Sequence, residues 1–145
     1  MIKAVDTGLP VPSAPIEWAA IADGVLYTAQ IPIRGDGSIE DGDIRIQTRL
    51  TLDNLKKTLS AAGGTLADVA QVLIYLPDPT DFSGMNEIYG QYFSKPHPNR
   101  ATVVAQLMVP GARIEIVAYA HVSGGKRKKT AARRRPVRRP AAQTG

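Results

Sequence analysis

Cysteine is absent from this chain of 145 residues, and histidine occurs only as His97 and His121. The absence of cysteine excludes disulfide bonds, thiolate nucleophiles and cysteine-ligated zinc or iron–sulfur centres. Two histidines are too few for a histidine-rich metal site. We therefore expect no histidine- or cysteine-based metal site.

Long hydrophobic runs are also missing, although 43% of the residues are apolar. No run approaches the ~20 apolar residues that a membrane-spanning helix requires. The N-terminal segment up to Ala14 lacks the basic start and apolar centre of a signal peptide. The length suits one globular domain with its own core, so we expect a single-domain cytoplasmic protein with no membrane partner.

Basic charge is concentrated at one end of the chain. Half of the 18 lysines and arginines follow residue 125, in a stretch without acidic residues. They are Lys126, Arg127, Lys128, Lys129, Arg133, Arg134, Arg135, Arg138 and Arg139. The other nine accompany all 13 acidic residues, so residues 1–122 carry a formal charge of −4 and residues 123–145 carry +9. We therefore expect one domain at 1–122 and a separate basic tail at 123–145.

The tail has little to bury, because it opens with Ser123-Gly124-Gly125 and continues mainly with Lys, Arg, Ala and Pro. We expect it to be disordered. Lysine- and arginine-rich segments bind nucleic acid through phosphate charge, without sequence preference. A solubilising extension is the alternative interpretation of the same residues.

The first half of the domain reads as a hairpin followed by a helix. Residues 16–21 and 25–30 are typical of short strands, joined by a tight turn at Asp23-Gly24. Asp41 or Asp43 can cap a helix that ends near Gly63-Gly64. Its apolar face recurs at steps of three and four residues and consists of Ile44, Thr48, Leu52, Leu55 and Leu59. This helix should bury one face.

The second half repeats the alternation of strand and helix. Residues 69–76 form an apolar run that ends at two prolines and predicts a central strand. Asp81 is expected to cap a second helix, whose apolar stripe consists of Phe82, Met85, Tyr89 and Phe93. Residues 101–107 and 113–122 predict two further strands around a Pro110-Gly111 turn. The order ββ-α-β-α-ββ indicates an α+β fold with a mixed sheet.

Apolar residues occupy both faces of the predicted strands, whereas two helices can cover only one side of one sheet. On the last strand Ile114 and Ile116 share a face, yet Val117 and Tyr119 lie opposite them with Glu115. Such a strand lacks the apolar and polar alternation of a sheet that is open to water on one side. We therefore expect other copies of the chain to cover the second face in a closed oligomer.

Six segments between residues 16 and 122 carry a family resemblance by their order and spacing. They are Thr28-Ala29-Gln30-Ile31-Pro32, Asn54-Leu55, Ala61-Ala62-Gly63 with Asp68-Val69, Asn86-Glu87-Ile88-Tyr89, Pro98-Asn99-Arg100-Ala101-Thr102, and Val109-Pro110-Gly111-Ala112-Arg113-Ile114-Glu115-Ile116. Together they resemble the RidA/YjgF family. The resemblance implies a chorismate-mutase-like subunit with two helices packed on one face of a mixed sheet. It also implies a homotrimer with clefts between neighbouring subunits.

The resemblance further implies hydrolytic deamination of 2-imino acids, with Arg100 and Glu115 as the catalytic residues. A guanidinium can hold the substrate carboxylate through two parallel hydrogen bonds, which a lysine could not reproduce. A glutamate can position and polarise the water that attacks the C=N carbon. The products would be a 2-oxo acid and ammonia, and no cofactor is needed.

Four further residues are expected to contact the substrate. Thr28 stands where the family has serine, and Thr102 where it has cysteine. The family's tyrosine near the first strand has no direct match, so Trp18 is the candidate there. Tyr89 is either a core residue of the second helix or a wall of the pocket.

Two alternatives to the deaminase remain open from the sequence. One is a ligand-binding or chaperone-like trimer without this activity. The other is an RNA-directed protein, because some members of the family are described as ribonucleases or translation inhibitors. The domain has no histidine pair typical of nuclease chemistry, which ranks RNA cleavage last.

Overall fold

The computed structural model describes residues 1–122, which form a six-stranded mixed sheet with two helices packed on one face. The strands lie in the order β1-β2-β3-β6-β4-β5. The bounds are β1 Lys3–Ala4, β2 Ala19–Ala22, β3 Val25–Gln30, α1 Ile44–Ala61, β4 Val69–Leu76, α2 Phe82–Tyr92, β5 Asn99–Val104 and β6 Glu115–His121. The predicted fold class and element order are confirmed, with β1 as an addition.

The hairpin of β2 and β3 turns at Asp23 and Gly24, whose φ values of 50° and 77° are the positive angles that a tight hairpin turn requires. The first strand was expected to begin at residue 16, but it begins at Ala19. The Ile16 amide donates to the Ala14 carbonyl and the Trp18 carbonyl accepts from the Thr28 hydroxyl, so these backbone groups are used outside the strand ladder. The two-residue β1 pairs with Ala20 and Ile21.

Helix α1 begins and ends as the sequence predicts. The carboxylate of Asp43, not that of Asp41, caps it by accepting a hydrogen bond from the Ile46 amide at 3.0 Å. After Ala62 the chain reverses through Gly63, where φ is 85°, and the Gly64 amide donates to the Leu59 carbonyl at 2.8 Å. The whole predicted apolar stripe of this helix is buried.

The start of α2 differs from the prediction. Asp81 makes no capping hydrogen bond from its side chain. Its buried carboxylate instead accepts two hydrogen bonds from the Arg113 guanidinium, both at 3.0 Å. Asp78 forms the expected turn, accepting from the Thr80 amide. An arginine donates more strongly to a carboxylate than a backbone amide does, which explains why Asp81 serves the ion pair and not the cap.

The two helices pack closely because of a glycine. A Cβ atom at Gly84 of α2 would lie 2.8 Å from a methyl carbon of Ile44 in α1. No larger side chain fits that contact without a shift of one helix. The predicted stripe of α2 is buried at Met85, Tyr89 and Phe93, but Phe82 is 44% exposed.

Strand β4 is central, as predicted, with β6 antiparallel on one side and β5 parallel on the other. The last two strands were expected at 101–107 and 113–122, whereas β5 is Asn99–Val104 and β6 is Glu115–His121. Strand β5 therefore starts early enough to include Arg100. Arg100 pairs with Val72 of β4, and β5 lies at the edge of the sheet.

The two faces of the sheet differ in exposure. The face toward the helices holds core residues that are entirely buried, among them Leu26, Val72, Ile74, Ile114 and Ile116. The opposite face, here called the bare face, carries Tyr27, Leu73, Tyr75, Val103, Glu115, Val117 and Tyr119. Nothing within residues 1–122 covers it, and Tyr27 and Val103 are 45% and 48% exposed. In this described part of the chain, neither helix combines the length and apolar character of a membrane span.

Candidate active site

Arg100 lies on the helix side of the edge strand β5, because its partner Val72 points toward the helices. Its guanidinium carbon stands 4.6 Å from the centre of the Tyr89 ring and 5.9 Å from that of Phe82. Within residues 1–122 no carboxylate lies within ion-pair distance of Arg100. The structure thus presents a partly buried cation held against aromatic faces, with its charge unpaired.

Two buried hydroxyl groups accompany Arg100 on the same side of the sheet. Thr102 follows it by two residues on β5, and its Oγ1 is buried without a hydrogen-bond partner in the described chain. The Tyr89 hydroxyl lies beside the guanidinium, and its own proton has no acceptor in the described chain. Buried hydroxyls without partners are uncommon in folded proteins. Arg100 thus has no carboxylate partner, and the two hydroxyls have no acceptor, among residues 1–122.

Burial raises the pKa of the Tyr89 phenol above its ordinary value of 10.0, and the nearby positive charge of Arg100 offsets only part of this effect. Tyr89 is therefore a neutral hydrogen-bond donor at physiological pH. It stacks on Phe93 with ring centres 4.6 Å apart, so it is part of the core as well as a neighbour of Arg100. The interpretation of Tyr89 as a core residue is confirmed, and its contact with a substrate stays a prediction.

Glu115 lies on the bare face, where it is paired with Tyr75 across the β4–β6 ladder. Burial raises the pKa of the Glu115 carboxyl above its ordinary value of 4.5. Among residues 1–122 no arginine, lysine or histidine lies within ion-pair distance of it. A half-buried carboxylate with a raised pKa and no counter-ion is a suitable general base.

The structure does not bring Arg100 and Glu115 together within one subunit. Their partners on β4, Val72 and Tyr75, are three residues apart, and β5 and β6 flank β4 on opposite sides. Strand spacing of about 4.8 Å and a rise of about 3.3 Å per residue separate the two Cα atoms by about 14 Å. The side chains also point to opposite faces of the sheet. Arg100, Thr102 and Tyr89 form one cluster, and Glu115 lies outside it.

Thr28 and Trp18 lie at a third place, near the hairpin. The Thr28 hydroxyl donates to the Trp18 carbonyl at 2.6 Å and accepts from the Gln30 amide at 2.9 Å. The side chain of Thr28 is therefore buried and fully engaged within the fold. The Trp18 indole donates to the Pro10 carbonyl at 2.6 Å and lines an apolar cleft of about 460 Å³. Trp18 alone of this pair borders open space.

Two contacts near the cluster were missed by sequence reasoning. Phe82 was assigned to the buried stripe of α2, but its ring faces Arg100. Arg113 was assigned only to a strand, but it anchors Asp81 immediately before Phe82. The seven-residue spacing of Phe82 and Tyr89 placed them on one helix face but did not show that this face meets Arg100. The predicted nucleic-acid-binding residues of the tail lie outside the described residues.

No group of three or more histidine or acidic side chains gathers into a possible metal site within the described range 1–122. The sequence comparison with family models matches residues 10–122 to the family described as Endoribonuclease L-PSP. The chain belongs to this family, the RidA/YjgF family. The match spans nearly all of the described domain and confirms the resemblance predicted from the motifs.

Curated relatives of this RidA/YjgF member include proteins of the RutC branch. A RutC family protein of Pyrococcus horikoshii is 43% identical over 114 residues, which are 77% of this chain and 90% of the relative. The 3-aminoacrylate deaminase RutC of Acinetobacter baylyi is 39% identical over 117 residues, covering 79% and 93%. Deamination of an enamine or imine is therefore an activity found in the family.

Solved structures of the family share the fold. A Rid family protein of Yersinia pestis superposes with a TM-score of 0.79 at 32% identity, covering 84% of this chain and all of that one. TdcF of Escherichia coli, with bound serine, gives a TM-score of 0.75 at 29% identity and covers 83% and 99%. These likenesses support the mixed sheet with two helices as the family fold.

Proposed function

We propose that this protein is a hydrolase that deaminates 2-imino acids or their enamine forms, such as 2-iminopropanoate, to 2-oxo acids and ammonia. The observation that carries the proposal is the cluster of Arg100, Thr102 and Tyr89, a cation and two buried hydroxyls without acceptors. A carboxylate offers several acceptor positions on two oxygens and can engage all three donors. The substrate class is thus a small carboxylic acid.

Glu115 is the proposed base of the same reaction. It takes a proton from a water molecule while the water oxygen attacks the C=N carbon, and the proton is passed to the nitrogen. The resulting carbinolamine then expels ammonia and leaves the 2-oxo acid. Because Glu115 lies on the opposite face from Arg100 of its own chain, the proposed site combines Arg100 of one subunit with Glu115 of another. This arrangement requires the proposed homotrimer, in which the bare face is covered.

The two candidate substrates differ in how far the reacting nitrogen lies from the carboxylate. The A. baylyi relative is named for 3-aminoacrylate, in which the nitrogen is one carbon farther from the carboxylate than in 2-iminopropanoate. The TdcF structure contains bound serine, which is a 2-amino acid and so carries its nitrogen on the carbon next to the carboxylate. The 2-imino acid remains our proposal, and 3-aminoacrylate is the comparison substrate for the assay.

The test is the release of 2-oxo acid from 2-aminoacrylate that an amino-acid dehydratase generates in the same cuvette. The wild-type protein should accelerate release, and Arg100→Lys should lower kcat/KM by about 10- to 100-fold, because a paired charged hydrogen bond is lost. Arg49→Lys, at an exposed position on α1, is the matched control and should keep full activity. Near-normal turnover by Arg100→Lys would contradict the assignment.

The same assay separates the deaminase from the alternatives. A non-catalytic ligand-binding or chaperone-like trimer would bind 2-oxobutanoate in a calorimetric titration but give no turnover. Cleavage of a labelled RNA by the domain without its tail would favour an RNA-directed protein.

The tail supports a second, separate function, which is non-specific binding of nucleic acid. Its nine lysines and arginines carry +9 in 23 residues, while the rest of the chain is acidic. Three tails in a trimer would bind together, so we expect affinity for a labelled duplex to fall steeply between ~50 and ~200 mM salt. Removal of residues 123–145 should abolish this binding and leave imine hydrolysis unchanged. Equal binding by the truncated protein would exclude the tail as the binding segment.

A further inference from the structure

Phe82 and Tyr89 each place an aromatic ring near the Arg100 guanidinium. The two residues are seven apart on α2 and point to the same side of the helix, so they are offset by about 10.5 Å along its axis. The guanidinium carbon is 5.9 Å from the Phe82 ring centre and 4.6 Å from the Tyr89 ring centre. Two residues that lie two turns apart on one face of α2 therefore both face the Arg100 guanidinium.

An arginine on an edge strand would otherwise be free to sample many rotamers. Among the described residues it has no carboxylate partner that could hold it, and such a partner would also occupy the donors that a substrate needs. Aromatic faces hold a guanidinium through its positive charge and leave its N–H groups unoccupied. Phe82 is 44% exposed, which is a high value for a phenylalanine that only fills the core.

We propose that Phe82 is a positioning residue that fixes the Arg100 guanidinium for carboxylate binding, and this inference rests on the function proposed above for Arg100. Tyr89 supplies the inner ring, fixed in the core by Phe93. Phe82 supplies the outer ring. The outer ring is the adjustable half of the pair, because it borders solvent.

The position of Phe82 is itself fixed by the ion pair before it. Asp81, whose side chain is only 8% exposed, accepts from the Nε and Nη2 atoms of Arg113. Arg113 is in turn held through its amide, which donates to the Gln47 side chain at 2.7 Å. The first residue of α2 is thereby tied both to the start of β6 and to α1. Because its carboxylate is bound to Arg113, Asp81 does not cap α2.

The first test is the affinity for 2-oxobutanoate, the product analogue, together with the steady-state constants for imine hydrolysis. Phe82→Leu keeps an apolar side chain but removes the ring face, so KM and the 2-oxobutanoate Kd should rise roughly two- to fivefold with little change in kcat. Phe82→Tyr should restore both values. Tyr92→Leu is the matched control, because Tyr92 is on the same helix and its ring lies 5.9 Å from the Lys56 ammonium, away from Arg100.

The second test reads the arginine directly and does not depend on turnover. The side-chain Hε signal of Arg100, identified by its loss in Arg100→Lys, should be shifted upfield by the two rings in wild-type protein. In Phe82→Leu it should move downfield, and in Tyr92→Leu it should stay in place. Sedimentation of each variant checks that the assembly is unchanged.

The results separate the two proposals. If the wild-type protein hydrolyses no imine, the proposed function fails, yet the Hε shift and the 2-oxobutanoate affinity still decide the role of Phe82. If Phe82→Leu leaves both the Hε signal and the affinity at wild-type values, the positioning role is wrong. A rise in KM that Phe82→Tyr does not reverse would also overturn it.

Discussion

The two faces of this sheet are made from neighbouring residues of the same strands, yet they have different surroundings. On β6, Ile116 is entirely buried against the helices, whereas Val117 beside it lies on the bare face and remains partly exposed. The helix-covered face forms the core of the single chain. The bare face is apolar without being covered by residues 1–122, so it contributes little to the fold of one chain and much to a proposed assembly.

The comparison also explains the division of the candidate site. Arg100, Thr102 and Tyr89 lie on the helix-covered side, and the partly buried Glu115 lies on the bare face. A single chain thus carries both chemical functions without joining them. Assembly through the bare face is the step that would bring them together.

The difference between the two faces of the sheet is tested most strongly by placing the same negative charge on each face, at adjacent positions of β6. Ile116→Asp puts an unpaired carboxylate into the core and should prevent folding, because a buried charge without a partner is strongly destabilising. Val117→Asp puts it on the bare face and should give a folded monomer. Circular dichroism reports the fold, and sedimentation equilibrium of the domain without its tail reports the assembly.

The wild-type domain should sediment as a trimer under the same conditions. If it sediments as a monomer, or if Val117→Asp remains a trimer, the bare face is not the contact surface. If Ile116→Asp folds normally, the assignment of the two faces is wrong.

Glu115→Gln should change stability less than Ile116→Asp does, but it should lower activity strongly. Loss of the general base should lower kcat by roughly 10²–10⁴-fold. Burial raises the pKa of Glu115 in the folded state, so its contribution to stability is fully present below the ordinary value of 4.5 and is lost as pH rises through the raised pKa. At neutral pH the charged carboxylate therefore destabilises the fold, and Glu115→Gln should be more stable than wild type.

The measurement is the Tm of both proteins between pH 4 and pH 8, with kcat/KM of the wild type over the same range. The difference in Tm should shrink as pH falls, and activity should decline as Glu115 is protonated, at a pH above 4.5. A Glu115→Gln variant that is less stable than wild type at neutral pH would contradict the account of its burial.

The sequence predicted the fold well because its signals are local. The stripe of α1, the cap at Asp43 and the turn at Asp23-Gly24 each depend on residues within a few positions of one another. Strand β1 could not be predicted, since two residues such as Lys3 and Ala4 form a strand only when a distant partner pairs with them.

The candidate site was predicted as residue types but not as an arrangement. Arg100 and Glu115 were identified from motifs, whereas their opposite faces follow from the register of β4 with β5 and β6, which is a long-range property. The prediction that Asp81 caps α2 was wrong because its actual partner, Arg113, is distant in the sequence. Phe82 was assigned from helical spacing, and spacing does not show which strand a ring faces.

The central claim is that each site takes Arg100 from one subunit and Glu115 from another. Arg100→Lys and Glu115→Gln subunits are each expected to keep at most about a tenth of the wild-type activity as pure trimers. When equal amounts are unfolded together and refolded, a site formed at random has intact Arg100 and intact Glu115 in about one case in four. The mixture should therefore regain about a quarter of wild-type activity. If it shows only the residual activity of the two parents, the shared site is wrong.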